Sequence, residues 1–397
     1  MRGSMRRAVE GFWTPRRRVQ YPAAVLAGLA IGFSIFVLTS DGLRTLGGGR
    51  MGGDFPAFYA AGRLMASSPP DQLYDAAAQQ QAQRSLFPGA PDGWIPFAYP
   101  PYVAQAYRPL AALPFRAAYV LHTLVMAALC LAGVRLLRGN ADRGWLLCSA
   151  VAMTFYPMAV AVLGGQNTAL SFFAAAASVA ALRRRQDVAA GAALGVWLFK
   201  PQLALLVVLL LVLAGHWKVL IGFAVVALLL YLVEIPSYGP AWPLWWFEHG
   251  VRPFLAADLP ANSARGISLR ETAFRVGLPG LAVPLVAAAL MLAVSGVRFR
   301  RPGAGAVVGG AAATAVLISP HALYYDGGLA LVALLGAAPD RPQPTRWLAA
   351  AWLAAPLQLF SAQFPISVVT LILIVTSILA FGVAAPQRDA ATVESAA

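Results

Sequence analysis

The chain has 397 residues, of which 59% are hydrophobic and only 12% are charged, and its formal net charge is +14. Soluble globular domains carry about 25% charged residues, so this composition excludes an ordinary soluble protein and indicates an integral membrane protein. The positive charge does not indicate nucleic-acid binding, because most arginines lie in short connections between apolar runs, where they report membrane orientation. The two cysteines, Cys130 and Cys148, lie in apolar segments, which excludes a disulfide framework or a zinc pattern.

Apolar runs recur at lengths suited to crossing about 30 Å of hydrocarbon, which only helices or closed barrels can do. We therefore predict an all-α polytopic membrane protein, a single membrane domain over residues 1–397 with about 10–12 transmembrane helices. The first run follows a cluster of arginines but lacks a persuasive cleavage site, so it is interpreted as an uncleaved span. Gly28 with Gly32, and Gly191 with Gly195, are spaced for close helix contact. The twelve candidate spans are 21–39, 117–134, 145–163, 167–182, 188–199, 201–215, 218–235, 281–297, 305–319, 323–338, 347–360 and 366–385.

The basic residues predict the orientation of these spans. With a cytoplasmic N-terminus and every span crossing, 19 of the 30 lysine and arginine residues fall on the inner side, as the positive-inside rule expects. The outer side then carries the two sizeable loops, 40–100 and 236–280. We accordingly expect a multi-pass protein of a bacterial inner membrane, with both termini cytoplasmic and a functional site outside.

The first outer loop opens on Gly52-Gly53-Asp54, just ahead of an aromatic-rich helix start. Taken alone, Asp54 is more readily a helix cap than a catalyst, since a carboxylate stabilises free amides at a helix N-terminus. The functional alternative is a general base at the membrane surface, with its pKa raised by partial burial. Helical stretches are expected at 55–66 and 71–86, the latter capped by Asp71, and residues 97–114 are expected to be interfacial or re-entrant because of their prolines.

Other polar groups gather on the same predicted side. Tyr99, before two prolines, is either an interfacial turn residue or part of a rigid groove wall. Gly165-Gln166-Asn167 is either a tight turn or, through Gln166, a donor and acceptor for sugar hydroxyls.

Two further positions carry charge at this side. Lys200 either snorkels to the interface or binds a lipid phosphate. His321 lies in Ser-Pro-His and either completes a polar turn or donates to a phosphate or leaving oxygen, with Asp326 available to hydrogen-bond it. The second loop combines tryptophans typical of an aromatic belt with arginines, among them Arg270, that either bind phosphate or balance acids.

The polar motifs, in their order along the chain, resemble glycosyltransferase family 87. The likeness extends from about residue 50 to residue 335. The motifs are Asp54-Phe55-x-x-Phe58-Tyr59, Leu73-Tyr74-Asp75, Tyr99-Pro100-Pro101, Pro109-Leu110, Leu113-Pro114-Phe115, Gly165-Gln166-Asn167, Ala190-Gly191 to Lys200-Pro201, and Ser319-Pro320-His321 to Tyr325-Asp326.

The resemblance implies a GT-C-type bundle with helical extracytoplasmic loops and inverting transfer of a hexose, typically mannose, from a polyprenyl-phosphate donor to a glycolipid or glycan acceptor of the cell envelope. It implies that Asp54 is the catalytic base and that Lys200 and His321 contact the phosphate. We also assign Gln166, Asn167, Tyr59, Tyr99, Tyr325 and Arg270 to substrate binding.

No cofactor is expected, and no metal, because the sequence lacks the clustered Asp-x-Asp that holds a divalent ion on a nucleotide diphosphate. Two other classes remain open: a transporter or flippase of lipid-linked substrates, which calls for mid-span polar residues, and a non-catalytic membrane scaffold. A scaffold would leave Asp54, Lys200 and His321 far apart.

Overall fold

A computed structural model describes residues 15–40, 50–87, 94–139, 144–262, 265–300, 302–336 and 344–382. Within these ranges the regular secondary structure is helical, and an isolated antiparallel bridge joins Gly266 to Leu323. The predicted all-α class is confirmed. The two chain termini, on which part of the predicted orientation depends, lie outside the described residues.

The helices follow one another with short connections. The α-helices are α1 Pro15–Thr39, α2 Phe55–Ser67, α3 Ala76–Arg84, α4 Pro101–Ala111, α5 Phe115–Arg138, α6 Trp145–Thr154, α7 Tyr156–Leu163, α8 Thr168–Arg183, α9 Asp187–Val196, α10 Pro201–Leu213, α11 Val219–Tyr238, α12 Trp242–Trp246, α13 Arg252–Asn262, α14 Leu269–Arg275, α15 Ala282–Arg300, α16 Ala304–Ile318, α17 Ala330–Gly336, α18 Pro344–Ala354 and α19 Val368–Gly382. Short 3₁₀ or π turns are Pro70–Tyr74, Trp197–Phe199, Phe247–Val251, Pro279–Leu281, Tyr324–Leu329 and Ala355–Gln363.

Within the described residues, each of the twelve predicted apolar segments is mostly helical. Among the described residues, four helices are long and apolar enough to cross a membrane on their own, and α6 with α7 makes a fifth candidate that bends by 71°. The remaining apolar helices are shorter, so the chain is a polytopic membrane protein in which several segments are too short to span alone.

Small residues let the central helices pack closely. Helices α8, α16 and α17 are buried along almost their whole length, and a side chain at Gly309 would collide with the backbone of Ala333 at 2.5 Å. Gly191 and Gly195 lie against α11, as their spacing predicted. A Cβ added to Gly28 or Gly32 would meet no other part of the described bundle within 4 Å, because α1 is largely exposed at its periphery.

The described part of the first loop is folded at one end of the bundle, which we call the loop end. Helix α2 packs along α4, and α4 occupies 11 residues of the segment expected to be interfacial, so this segment does not span. The predicted cap at Asp71 is wrong: Asp71 lies in the 3₁₀ turn, and Asp75 caps α3 by accepting a hydrogen bond from the amide of Ala78. The two prolines before Asp71 start that turn and delay the α-helix.

Candidate active site

Two glycine pairs hold the start of the first loop against the turn between α7 and α8. Gly53 and Gly165 have positive φ angles of +56° and +71°, and a Cβ added to Gly53 would approach the carbonyl oxygen of Gly164 to 2.5 Å. The missing side chains let the backbones touch, and the amide of Asp54 donates to the carbonyl of Gly164 at 2.8 Å. Asp54 is thereby fixed beside Gln166.

The Asp54 carboxylate does not cap the helix that follows it. Asp54 occupies the N-cap position of α2, but its side chain makes no capping hydrogen bond. Instead Oδ2 accepts from Nε2 of Gln166 at 2.5 Å. The ordinary capping interpretation therefore fails for this side chain, and its orientation requires another explanation.

Asp54 lines a small cavity at the loop end. The cavity has a volume of about 90 Å³ and is also lined by Gln166, Arg265, Tyr324 and Tyr325. At about 30 Å³ per water molecule, this space suits a hydroxyl group with a few neighbouring atoms. Among the described residues that line it, Asp54 is the one carboxylate.

Gln166 links Asp54 to two tyrosines, and we call Asp54, Tyr99, Gln166 and Tyr325 the Asp54 network. Nε2 of Gln166 also donates to the Tyr325 hydroxyl at 3.1 Å, and the Tyr99 hydroxyl lies 3.4 Å from Oε1 of Gln166. Asn167 is buried beside this network, and its Oδ1 accepts no hydrogen bond from the described residues.

The environment of Asp54 changes its acidity. Burial raises the pKa of Asp54 above its ordinary value, while hydrogen bonds from Gln166 and Tyr325 and the charges of Lys200 and His321 oppose the rise. A raised pKa makes the carboxylate a stronger base, and the opposing donors keep its charged form accessible. The arrangement suits proton acceptance from a hydroxyl in the cavity.

Lys200 is paired rather than alone. Its Nζ donates to Oδ1 of Asp326 at 2.6 Å, both side chains are buried, and the ammonium lies 5.6 Å from the centre of the Tyr325 ring. The other oxygen of Asp326 accepts from the amide of Leu323 at 3.2 Å. Lys200 thus adjoins the Asp54 network through Tyr325, with its charge balanced by Asp326.

His321 meets the second loop instead of Asp326. Its Nδ1 lies 2.8 Å from Oδ2 of Asp258, and Glu271 lies close by. Arg270, which is half-buried, donates to the carbonyl of Pro320 at 3.1 Å and so holds the Ser-Pro-His segment. We call Asp258, Glu271 and His321 the second-loop cluster.

One predicted site residue lies elsewhere. The Tyr59 hydroxyl donates to the carbonyl of Leu113 at 2.7 Å, and its ring packs on Phe55 and Phe115. Tyr59 therefore joins α2 to the start of α5 rather than lining the cavity. Conversely, the sequence-based prediction missed Asp258 and did not single out Arg265, both of which lie at the loop end.

The fold and site define a polytopic membrane protein with a buried carboxylate network at one end of its helical bundle. The sequence profile of glycosyltransferase family 87 matches residues 97–338, which is more than half of the chain. The chain belongs to glycosyltransferase family 87, as the resemblance indicated, and is a membrane glycosyltransferase. Asp54 precedes the matched segment but contacts it through Gly164 and Gln166.

Searches of curated proteins and of solved structures found no significant match.

Proposed function

We propose that this protein transfers a hexose, mannose in the first instance, from a polyprenyl-phosphate donor to a hydroxyl of a glycolipid or glycan acceptor at the extracytoplasmic face of the bacterial inner membrane. The observation that carries the proposal is the Asp54 carboxylate, which lines the cavity and is oriented by Gln166 instead of capping its helix. Membership of the glycosyltransferase family supplies the reaction class.

The transfer is a single displacement. The acceptor hydroxyl gives its proton to Asp54 as its oxygen forms a bond to the anomeric carbon, and the bond from that carbon to the phosphate oxygen breaks. Polyprenyl phosphate leaves with the electron pair. Asp54 is the one carboxylate among the described residues that line the cavity, and a single carboxylate that acts as base for the attacking hydroxyl is what an inverting displacement needs.

Positive groups near Asp54 support a phosphate-bearing donor. Arg265 lines the cavity, and Lys200 and His321 act electrostatically on Asp54. Fixed positive groups stabilise the charge that grows on a departing phosphate.

The donor class is tested with the purified full chain in liposomes. Radiolabelled mannose presented on polyprenyl phosphate should pass to an acceptor fraction extracted from bacterial membranes, whereas GDP-mannose in the same assay should give no product. Transfer from the nucleotide sugar, with none from the lipid donor, would contradict the proposal.

A further inference from the structure

Three side chains from separate segments of the chain converge beside the Asp54 cavity. Asp258 comes from α13, Glu271 from α14, and His321 from the segment after α16. Their candidate ligand atoms all lie within 4.8 Å of one another, and Asp258 Oδ2 is 2.8 Å from His321 Nδ1. Both carboxylates are almost fully buried, with exposed fractions of 2% for Asp258 and 0% for Glu271.

One oxygen of each carboxylate is held by a neighbour. Asp258 Oδ1 accepts from the Asn262 amide at 2.8 Å, and Glu271 Oε2 accepts from the backbone amide of Ser268 at 2.9 Å. The His321 ring packs edge-on against Phe254, with ring centres 4.9 Å apart. Such contacts around a ligand fix its orientation before a metal binds.

The other oxygens point inward without hydrogen-bond donors. Asp258 Oδ2 and Glu271 Oε1 are buried and accept no hydrogen bond from the described residues. Asp258 Oδ2 and His321 Nδ1 are close but not aligned as a hydrogen bond. The guanidinium of Arg275 acts on Glu271 from the side and also donates to the carbonyl of Gly266. The charges of His321 and Arg275 act on these carboxylates, but neither side chain donates a hydrogen bond to Asp258 Oδ2 or Glu271 Oε1, and a buried carboxylate oxygen without a donor is costly.

We propose that the second-loop cluster binds one divalent cation of the Mg²⁺ or Mn²⁺ type. Two carboxylate oxygens and one imidazole nitrogen form a donor set suited to such an ion. Ligands on opposite sides of an ion with bonds of about 2.1 Å lie about 4.2 Å apart, so the observed separations require only small side-chain adjustments. Three protein ligands leave further coordination positions open for water or for an oxygen of a substrate.

The position of this site gives the ion a role that rests on the proposed function. Ile267 donates to the carbonyl of Ala322 at 2.9 Å, and the neighbouring Leu323 lines the Asp54 cavity. Without a cation, the two carboxylates would repel a donor phosphate placed near His321. Because Asp326 already balances Lys200, the ion adds to the positive charge that Arg265 offers the phosphate. This inference departs from the metal independence expected from the sequence.

Binding is measured on the full chain, purified in detergent, stripped with EDTA and desalted. Titration with Mn²⁺, followed by the electron paramagnetic resonance signal of the free ion, should reveal one tight site per wild-type chain. Asp258→Asn and Glu271→Gln should each weaken that site by at least about tenfold. Glu248→Gln alters an exposed acid of the same loop that pairs with Arg252, and it should leave binding unchanged.

Thermal unfolding in EDTA shows whether each variant is folded. Variants that unfold near the wild-type temperature but bind Mn²⁺ weakly would support the site. The proposal would be overturned if the wild-type protein had no tight Mn²⁺ site. It would also be overturned if Asp258→Asn and Glu271→Gln bound Mn²⁺ as tightly as the wild type does. An equal loss of Mn²⁺ affinity in Glu248→Gln would overturn the proposal too, because binding would then depend on the general charge of the loop.

The same samples separate this inference from the proposed function. Asp54→Asn should bind Mn²⁺ as the wild type does. Tight Mn²⁺ binding by a chain that transfers no hexose would leave the cation site intact and overturn the function. Full hexose transfer in EDTA, with no Mn²⁺ bound, would leave the proposed function intact and overturn the role of the cation.

Discussion

The two groups of buried polar side chains at the loop end differ in how their charges are satisfied. In the Asp54 network and the adjoining Lys200–Asp326 pair, the carboxylates accept hydrogen bonds from named side chains. In the second-loop cluster, two carboxylate oxygens face an imidazole without donors from the described residues. A group that must remove a proton benefits from a fixed partner, whereas a group that must hold a ligand benefits from unused ligand atoms. The difference assigns proton transfer to the first group and ion binding to the second.

Breaking the Lys200–Asp326 pair should have the largest effect on stability. Lys200→Met leaves a buried Asp326 carboxylate with no cation, which costs about 3–5 kcal/mol in the free energy of unfolding. Lys200→Met combined with Asp326→Asn should recover much of that loss, because no buried charge remains unpaired. The midpoint of thermal unfolding in detergent measures both.

Lys218→Met is the matched control for that prediction, since Lys218 is exposed beside Trp217. It should change the midpoint little. If the double variant were no more stable than Lys200→Met, the pair would not be the cause of the loss.

Gln166→Leu should have a smaller effect, and that effect should be on activity rather than on stability. A hydrogen bond to a charged group is worth about 1.5–3 kcal/mol, so kcat/KM should fall about 10- to 100-fold. The base acts when deprotonated, so activity falls as pH drops through the raised pKa of Asp54. Gln166 opposes that rise in pKa. Removing it should move the acid side of the pH–rate profile to higher pH.

Gln81→Leu, an exposed position on α3, should leave both the rate and the profile unchanged. If Gln166→Leu slowed the enzyme but did not shift the acid limb of its pH–rate profile, Gln166 would position the loop without affecting the pKa of Asp54.

Tyr325→Phe should change the same two quantities, kcat/KM and the acid limb of the pH–rate profile, by a smaller amount. It removes one hydroxyl that opposes the raised pKa of Asp54, but it keeps the ring beside Lys200. We expect a fall in kcat/KM of about three- to tenfold and a shift of the acid limb in the same direction as for Gln166→Leu. Tyr324→Phe, at the neighbouring cavity position, is the control; an equal shift there would remove the special role of Tyr325.

The sequence predicted the helical class and, within the described residues, the approximate positions of the twelve apolar segments, because hydrophobic runs and basic connections are local signals. It also predicted that Asp54 and Gln166 share one side of the membrane, and the structure brings these side chains into contact. Spacing could not identify the partner of Lys200, since Asp326 lies 126 residues away.

The second-loop cluster could not be predicted from the sequence for a related reason. Asp258 lies in a short helix whose sequence resembles a solvated segment, and only folding brings it to His321. The capping alternative for Asp54 fails because the two glycine pairs bring Gln166 close enough to bind the carboxylate, although a carboxylate before a helix usually caps it.

The catalytic role of Asp54 is tested most directly by transfer of labelled hexose from polyprenyl phosphate by purified Asp54→Asn, compared with Asp71→Asn, an exposed carboxylate of the same loop. Loss of a general base should slow turnover by about 10²- to 10⁴-fold in Asp54→Asn, with its unfolding temperature unchanged, while Asp71→Asn keeps wild-type turnover. Full turnover by a folded Asp54→Asn protein would contradict the assignment of Asp54 as the base.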